Sequence, residues 1–208
     1  MKYYLGIDVE TTGQFFNKNA MIALGCSIMD EQSNELETFT CFMSIPDDRE
    51  WEQRCVDEFW SKQKTELYKI EKQMKDPKQE MIRFSEWIGA MDLKYGENLI
   101  IVSNFCAFDI AWVDYYLNIY VPEHYSIYYR LKSNENNIKT YSFRTPIINT
   151  NSAYIGALNL LEPNKTHECD LEQKLDIQNK KWINDHDALN DARNIVSNYI
   201  LFLEKCKK

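Results

Sequence analysis

Hydrophobic and polar positions change period several times along this chain, and each change predicts an element. Residues 2–8 form a strand-like apolar stretch that ends on Asp8. Residues 20–29 and 37–45 read as two more strands, separated by the turn-rich Asp30-Glu31-Gln32-Ser33-Asn34. Together they predict an antiparallel three-stranded meander. From Asp57 the spacing becomes helical, with Leu67, Ile70, Met74, Met81, Phe84, Ile88 and Met91 three and four residues apart. Pro77 divides this stripe into two helices, with Asp76 as the N-cap of the second and Gln79 three residues after it.

Leu99-Ile100-Ile101-Val102 is a continuous apolar run, as in a strand covered on both faces, and a helical pattern follows from Ala107 to about Asn118. Residues 121–150, rich in Tyr and Asn and broken by Pro122 and Pro146, predict loop with short elements. The last helix, roughly 187–204, carries Ala188, Leu189, Ala192, Ile195, Val196, Tyr199, Ile200 and Leu203 on one face. Antiparallel strands followed by strand–helix units predict an α/β fold with a mixed sheet flanked by helices. The 208 residues suit a single domain spanning 1–208.

Three acidic blocks stand out against this frame. Asp8 and Glu10 are two apart, so alternation along a strand turns both to one face, and Thr11-Thr12-Gly13 follows with hydroxyls and a residue that permits a turn. An exposed strand end is the plainer account of the same residues. Asp109 lies at a helix start, where any acid complements the dipole, yet its neighbours Phe105, Ala107, Phe108 and Ile110 are unusually apolar for a solvated carboxylate. Asp114, five residues further along that helix, reads as a decoy rather than a ligand.

His186 and Asp191, five apart, fall about 140° from each other on an ideal helix. They share a site only if His186 sits on the loop before the helix, with Asn184 or Asp185 as cap, while Asp191 projects from the first turns. His124 and His167 have no comparable acidic company.

In order along the chain, D-V-E-T-T-G at 8–13, N-F-C-A-F-D at 104–109 and H-D-A-L-N-D-A at 186–192 resemble the three motifs of the DEDDh, or DnaQ-like, exonucleases of the ribonuclease H-like superfamily. The sister group with Tyr four residues before the last acid is excluded, because position 187 is Asp. A narrower resemblance, to exodeoxyribonuclease A-type proteins of T-even bacteriophages, rests on Phe59-Trp60-Ser61-Lys62-Gln63 and Phe143-Arg144-Thr145.

The resemblance implies a ribonuclease H-like mixed sheet and 3′→5′ exonuclease action on a nucleic acid with a free 3′ end, DNA ahead of RNA. It implies that Asp8, Glu10, Asp109 and Asp191 hold two ions, with Asp8 bridging, and that His186 is the general base. Thr11 and Thr12, with Asn104 behind them, are the implied substrate contacts. A set of four carboxylates suits Mg²⁺ or Mn²⁺ rather than Zn²⁺. An exoribonuclease, and a non-catalytic nucleic-acid-binding module on the same fold, are the competing readings; the second is disfavoured because all five positions are filled.

The net charge of −8 argues against broad adhesion to nucleic acid, an objection that weakens when part of the acid excess is a metal-binding cluster. Residues 62–83 hold seven Lys/Arg against four acids, which suits a solvated helical face as well as a track for a backbone. The absence of a long apolar run or a basic-then-apolar start predicts a soluble, cytoplasmic protein with no membrane partner. Six scattered cysteines without a C-x-x-C predict reduced thiols.

Overall fold

The computed structural model describes residues 1–121, 126–133, 139–143, 147–161, 175–178, 181–182 and 185–207, so His124, His167, Arg144, Thr145 and Asn184 lie outside the described residues. The strands are β1 (Tyr3–Thr11), β2 (Met21–Asp30), β3 (Glu35–Phe42), β4 (Leu99–Ser103), β5 (Tyr129–Ser133), β6 (Lys139–Phe143) and β7 (Ile147–Asn149). Five of them form one sheet in the order β3-β2-β1-β4-β7, while β5 and β6 pair separately. The predicted meander is present, since β1/β2 and β2/β3 are antiparallel, and β4 and β7 extend the sheet in parallel. The Asp30 carboxylate closes the β2–β3 turn by accepting the N–H groups of Gln32 and Asn34, each at 2.9 Å.

Three boundaries differ from expectation. β1 does not stop at Asp8 but runs to Thr11, because β2 pairs with it through Thr11↔Met21, with a bulge after Glu10. The third strand ends at Phe42, and Met43 instead bridges to Lys75. Residues 147–149, inside the 121–150 stretch expected as loop with short elements of unassigned position, are a short strand held by pairing with β4, a long-range partner that local pattern does not reveal.

The helices are α1 (Gln53–Cys55), which continues into one π-helical turn at Val56–Trp60, then α2 (Lys64–Gln73), α3 (Pro77–Tyr95), α4 (Asp109–Tyr120), α5 (Thr150–Leu161) and α6 (Ala188–Cys206). The split at Pro77 is as expected, with the Asp76 side chain accepting the Gln79 N–H at 2.9 Å. Helical structure begins at Gln53, ahead of the apolar stripe.

Alternation along β1 sorts its residues between two layers. Leu5, Ile7 and Val9 join the larger core with Phe84, Ile88, Ile110, Trp112 and Val113 from α3 and α4. Tyr4, on the opposite face, meets Tyr199 of α6 edge to face at 5.6 Å. Two glycines on this second face let α6 approach closely. A Cβ at Gly6 would lie 2.3 Å from the Ala192 carbonyl oxygen, and one at Gly25 would lie 2.1 Å from the Ala188 carbonyl carbon. The first turns of α6 therefore lie against backbone, beside the face that carries Asp8 and Glu10.

Candidate active site

The acids meet where β1 outruns its parallel neighbour. Pairing with β4 ends at Gly6↔Val102, so Asp8 and Glu10 project beyond the β4 edge. α4 begins just past that edge, and its first residue, Asp109, accepts the Ser103 hydroxyl at 2.6 Å and a backbone hydrogen bond from Val9. Asp191 comes from the first turn of α6, whose N-cap is Asp187, accepting from the N–H groups of Leu189 and Asn190. The cap is thus neither of the residues expected from sequence. Asp185 instead donates its N–H to Asp191 Oδ1 at 3.3 Å.

His186 occupies the loop before α6 in a left-handed conformation, φ 62°, which carries the chain over the site before the helix starts. Its ring packs edge to face on Phe59 at 4.6 Å, and its Nδ1 lies 4.0 Å from Glu10 Oε1. Ligand atoms of Glu10, His186 and Asp191 lie within 4.8 Å of one another, close enough to share one ion. That radius does not gather Asp8 and Asp109 into the trio, although the charges of Asp109 and Asp191 act on both Asp8 and Glu10.

Burial, then the charges of Asp109, Glu10 and Asp191, hold the Asp8 carboxyl well above the usual range. Glu10 is raised well above its usual value by burial and then by Asp191 and Asp109. Burial pushes Asp109 up to about 6 against the lowering effect of the Ser103 hydroxyl, and it pushes Asp191 up to about 7 against the lowering effect of the Asp185 N–H, with the charges of Asp185 and Asp187 adding to the rise. Four crowded acids that resist ionisation present oxygen donors whose repulsion a hard dication would relieve. The donor set fits Mg²⁺ or Mn²⁺.

Asp8, Glu10, His186 and Asp191 open into a cleft of about 420 Å³. Thr11, turned by the bulge, also lines it and donates its hydroxyl to the Gly13 carbonyl at 2.8 Å. Thr12 does not reach it. This residue is fully buried, donating to the Glu50 carbonyl at 2.9 Å and accepting the Ala20 N–H at 2.8 Å, so its expected role as a hydroxyl contact to substrate is corrected to one of holding the loop. Asn104 is absent from the cleft wall, and its Oδ1 accepts the Thr150 hydroxyl at 2.6 Å. Asp114 is engaged by Ser126 and by the Ile127 N–H, as suits a structural acid.

Sequence reasoning missed the opposite wall, supplied by Glu52, Arg54, Cys55, Glu58 and Phe59. The π-helical turn aims Phe59 at His186, while Trp60 beside it donates its indole N–H to the Thr11 carbonyl at 3.0 Å. No spacing rule marks such a turn. The Phe59-Trp60 pair was its one visible trace.

A five-stranded mixed sheet with helices on both faces, and acids gathered at the carboxyl edge of its central strands, is a fold the chain shares with solved exonuclease structures. Among solved structures the chain is similar to the zinc-bound form of the Escherichia coli ExoI–single-stranded DNA complex, with TM-score 0.66 at 15% identity, covering all of this chain and 42% of that one. The nuclease domain of 3′hExo, a DEDDh family member bound to rAMP, gives TM-score 0.63 at 13% identity, covering 98% and 92%. Cell-death related nuclease 4 (CRN-4) gives 0.63 at 15%, covering 99% and 64%. By sequence the chain is similar to the 3′–5′ DNA exonuclease Cap18 of Escherichia coli, 26% identical over 121 residues, which is 58% of this chain and 59% of that protein. The match therefore spans about three-fifths of that relative's length. No protein-family model matches the chain.

Proposed function

We propose that residues 1–208 act as one metal-dependent 3′→5′ exonuclease unit that hydrolyses phosphodiester bonds at a nucleic-acid 3′ end and releases mononucleotides, with DNA as the preferred substrate. The observation that carries this is that Asp8, Glu10, Asp191 and His186 line a single cleft, with Asp109 close behind them and all four carboxyls raised above their ordinary range. The DNA exonuclease relative and the single-stranded DNA complex among the structural neighbours support the substrate.

Asp8, Glu10, Asp109 and Asp191 would hold two Mg²⁺ or Mn²⁺ ions, with Asp8 shared between them. When bound, such ions supply activation of water and neutralisation of charge at the leaving 3′ oxygen. His186 takes the proton from the attacking water, held for that task by the Phe59 ring and by the loop that leads into α6. Ser103 and the Val9 backbone orient the Asp109 carboxylate. Thr11 and the backbone up to Gly13 hold the terminal nucleotide beside the acids. The non-scissile part of the strand runs out along the cleft.

The test is digestion of 5′-labelled linear DNA and RNA of matched sequence, each single- and double-stranded, beside closed circular DNA, in Mg²⁺ and in EDTA. The expected result is a ladder shortening one nucleotide at a time, faster on DNA, lost in EDTA and absent with the circle. Cutting of the circle as fast as linear DNA would overturn the exonuclease reading, and a faster ladder on RNA would overturn the preference.

A further inference from the structure

We propose that Arg54 is a phosphate-binding residue of the cleft, engaging a non-scissile phosphate of the bound strand. The inference rests on the exonuclease reading and names how the strand is held. Asp8, Glu10, Asp191, Glu52 and Glu58 all line the cleft, and Arg54 is the one Lys or Arg on its described wall. A strand entering this space presents one charge per nucleotide. The acids of β1, α4 and α6 would be answered by bound dications. Glu52 and Glu58, on the far wall, have no such partner and would repel the next phosphate along.

Arg54 is built into that wall rather than placed at random on the surface. Its Nε donates to Glu52 Oε1 at 3.2 Å, while Glu52 Oε2 accepts the Gln14 N–H at 3.2 Å. The Glu52 backbone N–H in turn donates to the Thr12 carbonyl at 2.9 Å. One carboxylate thus fastens the base of the guanidinium to the segment that follows the acids. The side chain remains 59% exposed, and its two terminal nitrogens make no hydrogen bond among the described residues. A guanidinium tethered through Nε keeps its Nη pair free as a planar fork, the geometry that matches two phosphate oxygens, and it stays charged at every working pH. The pair with Glu52 is itself exposed and weak, so it orients Arg54 without competing for the ligand.

The test is a cycle between protein and substrate. Arg54→Ala and Arg54→Lys are compared with wild type for binding to a fluorescent single-stranded DNA, with Ca²⁺ replacing Mg²⁺ to stall hydrolysis. One neutral methylphosphonate is placed in turn at each linkage near the 3′ end. Neutralising one non-scissile linkage is expected to weaken wild-type binding by about ten-fold, the order of one charge-assisted pair, and to leave Arg54→Ala unaffected. Arg54→Lys should keep only part of the affinity, having the charge without the fork. In Mg²⁺, Arg54→Ala should raise KM more than it lowers kcat.

Melting curves matching wild type confirm that the variants fold, as expected for an exposed side chain. Equal sensitivity of wild type and Arg54→Ala at every linkage, or coupling at the scissile linkage alone, would reduce Arg54 to a surface partner of Glu52. Wild-type hydrolysis of the unmodified strand is read in parallel. Its absence beside intact coupling would discard the exonuclease reading and keep the phosphate site.

Discussion

His186 shows how much of the site one residue type can reveal. Its separation from Asp191 was readable as a loop residue followed by a first-turn residue, and φ of 62° at His186 is what makes that placement work. Thr12 shows the limit. Adjacent hydroxyls in T-T-G look equivalent in sequence, but the bulge after Glu10 leaves Thr11 on the cleft while Thr12 is spent on Glu50 and Ala20. Which of two neighbours faces solvent depended on contacts about forty residues away. As the proposed general base, His186 is expected to contribute roughly 10²–10⁴-fold, so His186→Ala should lower kcat by that factor with little change in KM. Single-turnover kinetics within a few-fold of wild type would remove His186 from the mechanism.

The acids also set a pH dependence whose sign is definite. Unfolded, Asp109 and Asp191 titrate near their ordinary value of about 4; folded, they reach about 6 and about 7. Between roughly pH 4 and 7 the folded metal-free chain therefore binds more protons than the unfolded chain, and these two groups make it less stable as pH rises. Melting in EDTA should show Asp191→Asn gaining stability over wild type as pH increases through this window. A difference that is flat or shrinks would contradict the assignment.

At the scale of elements, periodicity carried the meander, the division at Pro77, the β4–α4 unit and α6, because each buries a regular apolar face. It allowed short elements in 121–150 but could not place β7, whose three residues are a strand only by pairing with β4, nor the π-helical turn, which has no pattern of its own. Composition likewise did not announce the roles of Gly6 and Gly25, which matter through what lies above them. Gly25→Ala would drive a methyl to 2.1 Å from the Ala188 backbone, so α6 must move, and Asp191 and His186 with it. A destabilisation of at least about 1–3 kcal/mol is expected, with turnover falling further than stability alone explains. Gly156, exposed in α5 with nothing within 4 Å of an added Cβ, is the control, and Ala there should stabilise by up to about 1 kcal/mol. Denaturant melts of both variants with assays at a fully folded temperature distinguish the cases, and an active, stable Gly25→Ala would mean that α6 is not held by this contact.

For the whole molecule, the net charge of −8 no longer opposes nucleic-acid binding once its distribution is known. Part of the excess is gathered in one cleft, where Asp8, Glu10 and Asp191 are a demand for cations and Glu52 and Glu58 stand beside Arg54. Among the described residues, no helix is long and apolar enough to cross a membrane. Five of the six cysteines are described, and all five are free thiols. Mg²⁺ should bind the folded chain far better than the unfolded one and raise the melting temperature accordingly.

Asp8 is where residue and molecule meet, since the ligand proposed to be shared by two ions would affect both, whereas each other acid would chiefly affect one. Asp8→Asn keeps the shape but removes the charge that, on the proposed reading, would let two dications sit close together. The decisive measurement sets wild type beside Asp8→Asn, following 5′-labelled single-stranded DNA in Mg²⁺ together with melting curves with and without the ion. The predicted result is a ladder from wild type and none from the variant, with the metal-free melting temperature held or raised and the Mg²⁺ shift much reduced. A variant that keeps both the ladder and the full Mg²⁺ shift would show that Asp8 is only a carboxylate on a strand and that the chemistry lies elsewhere.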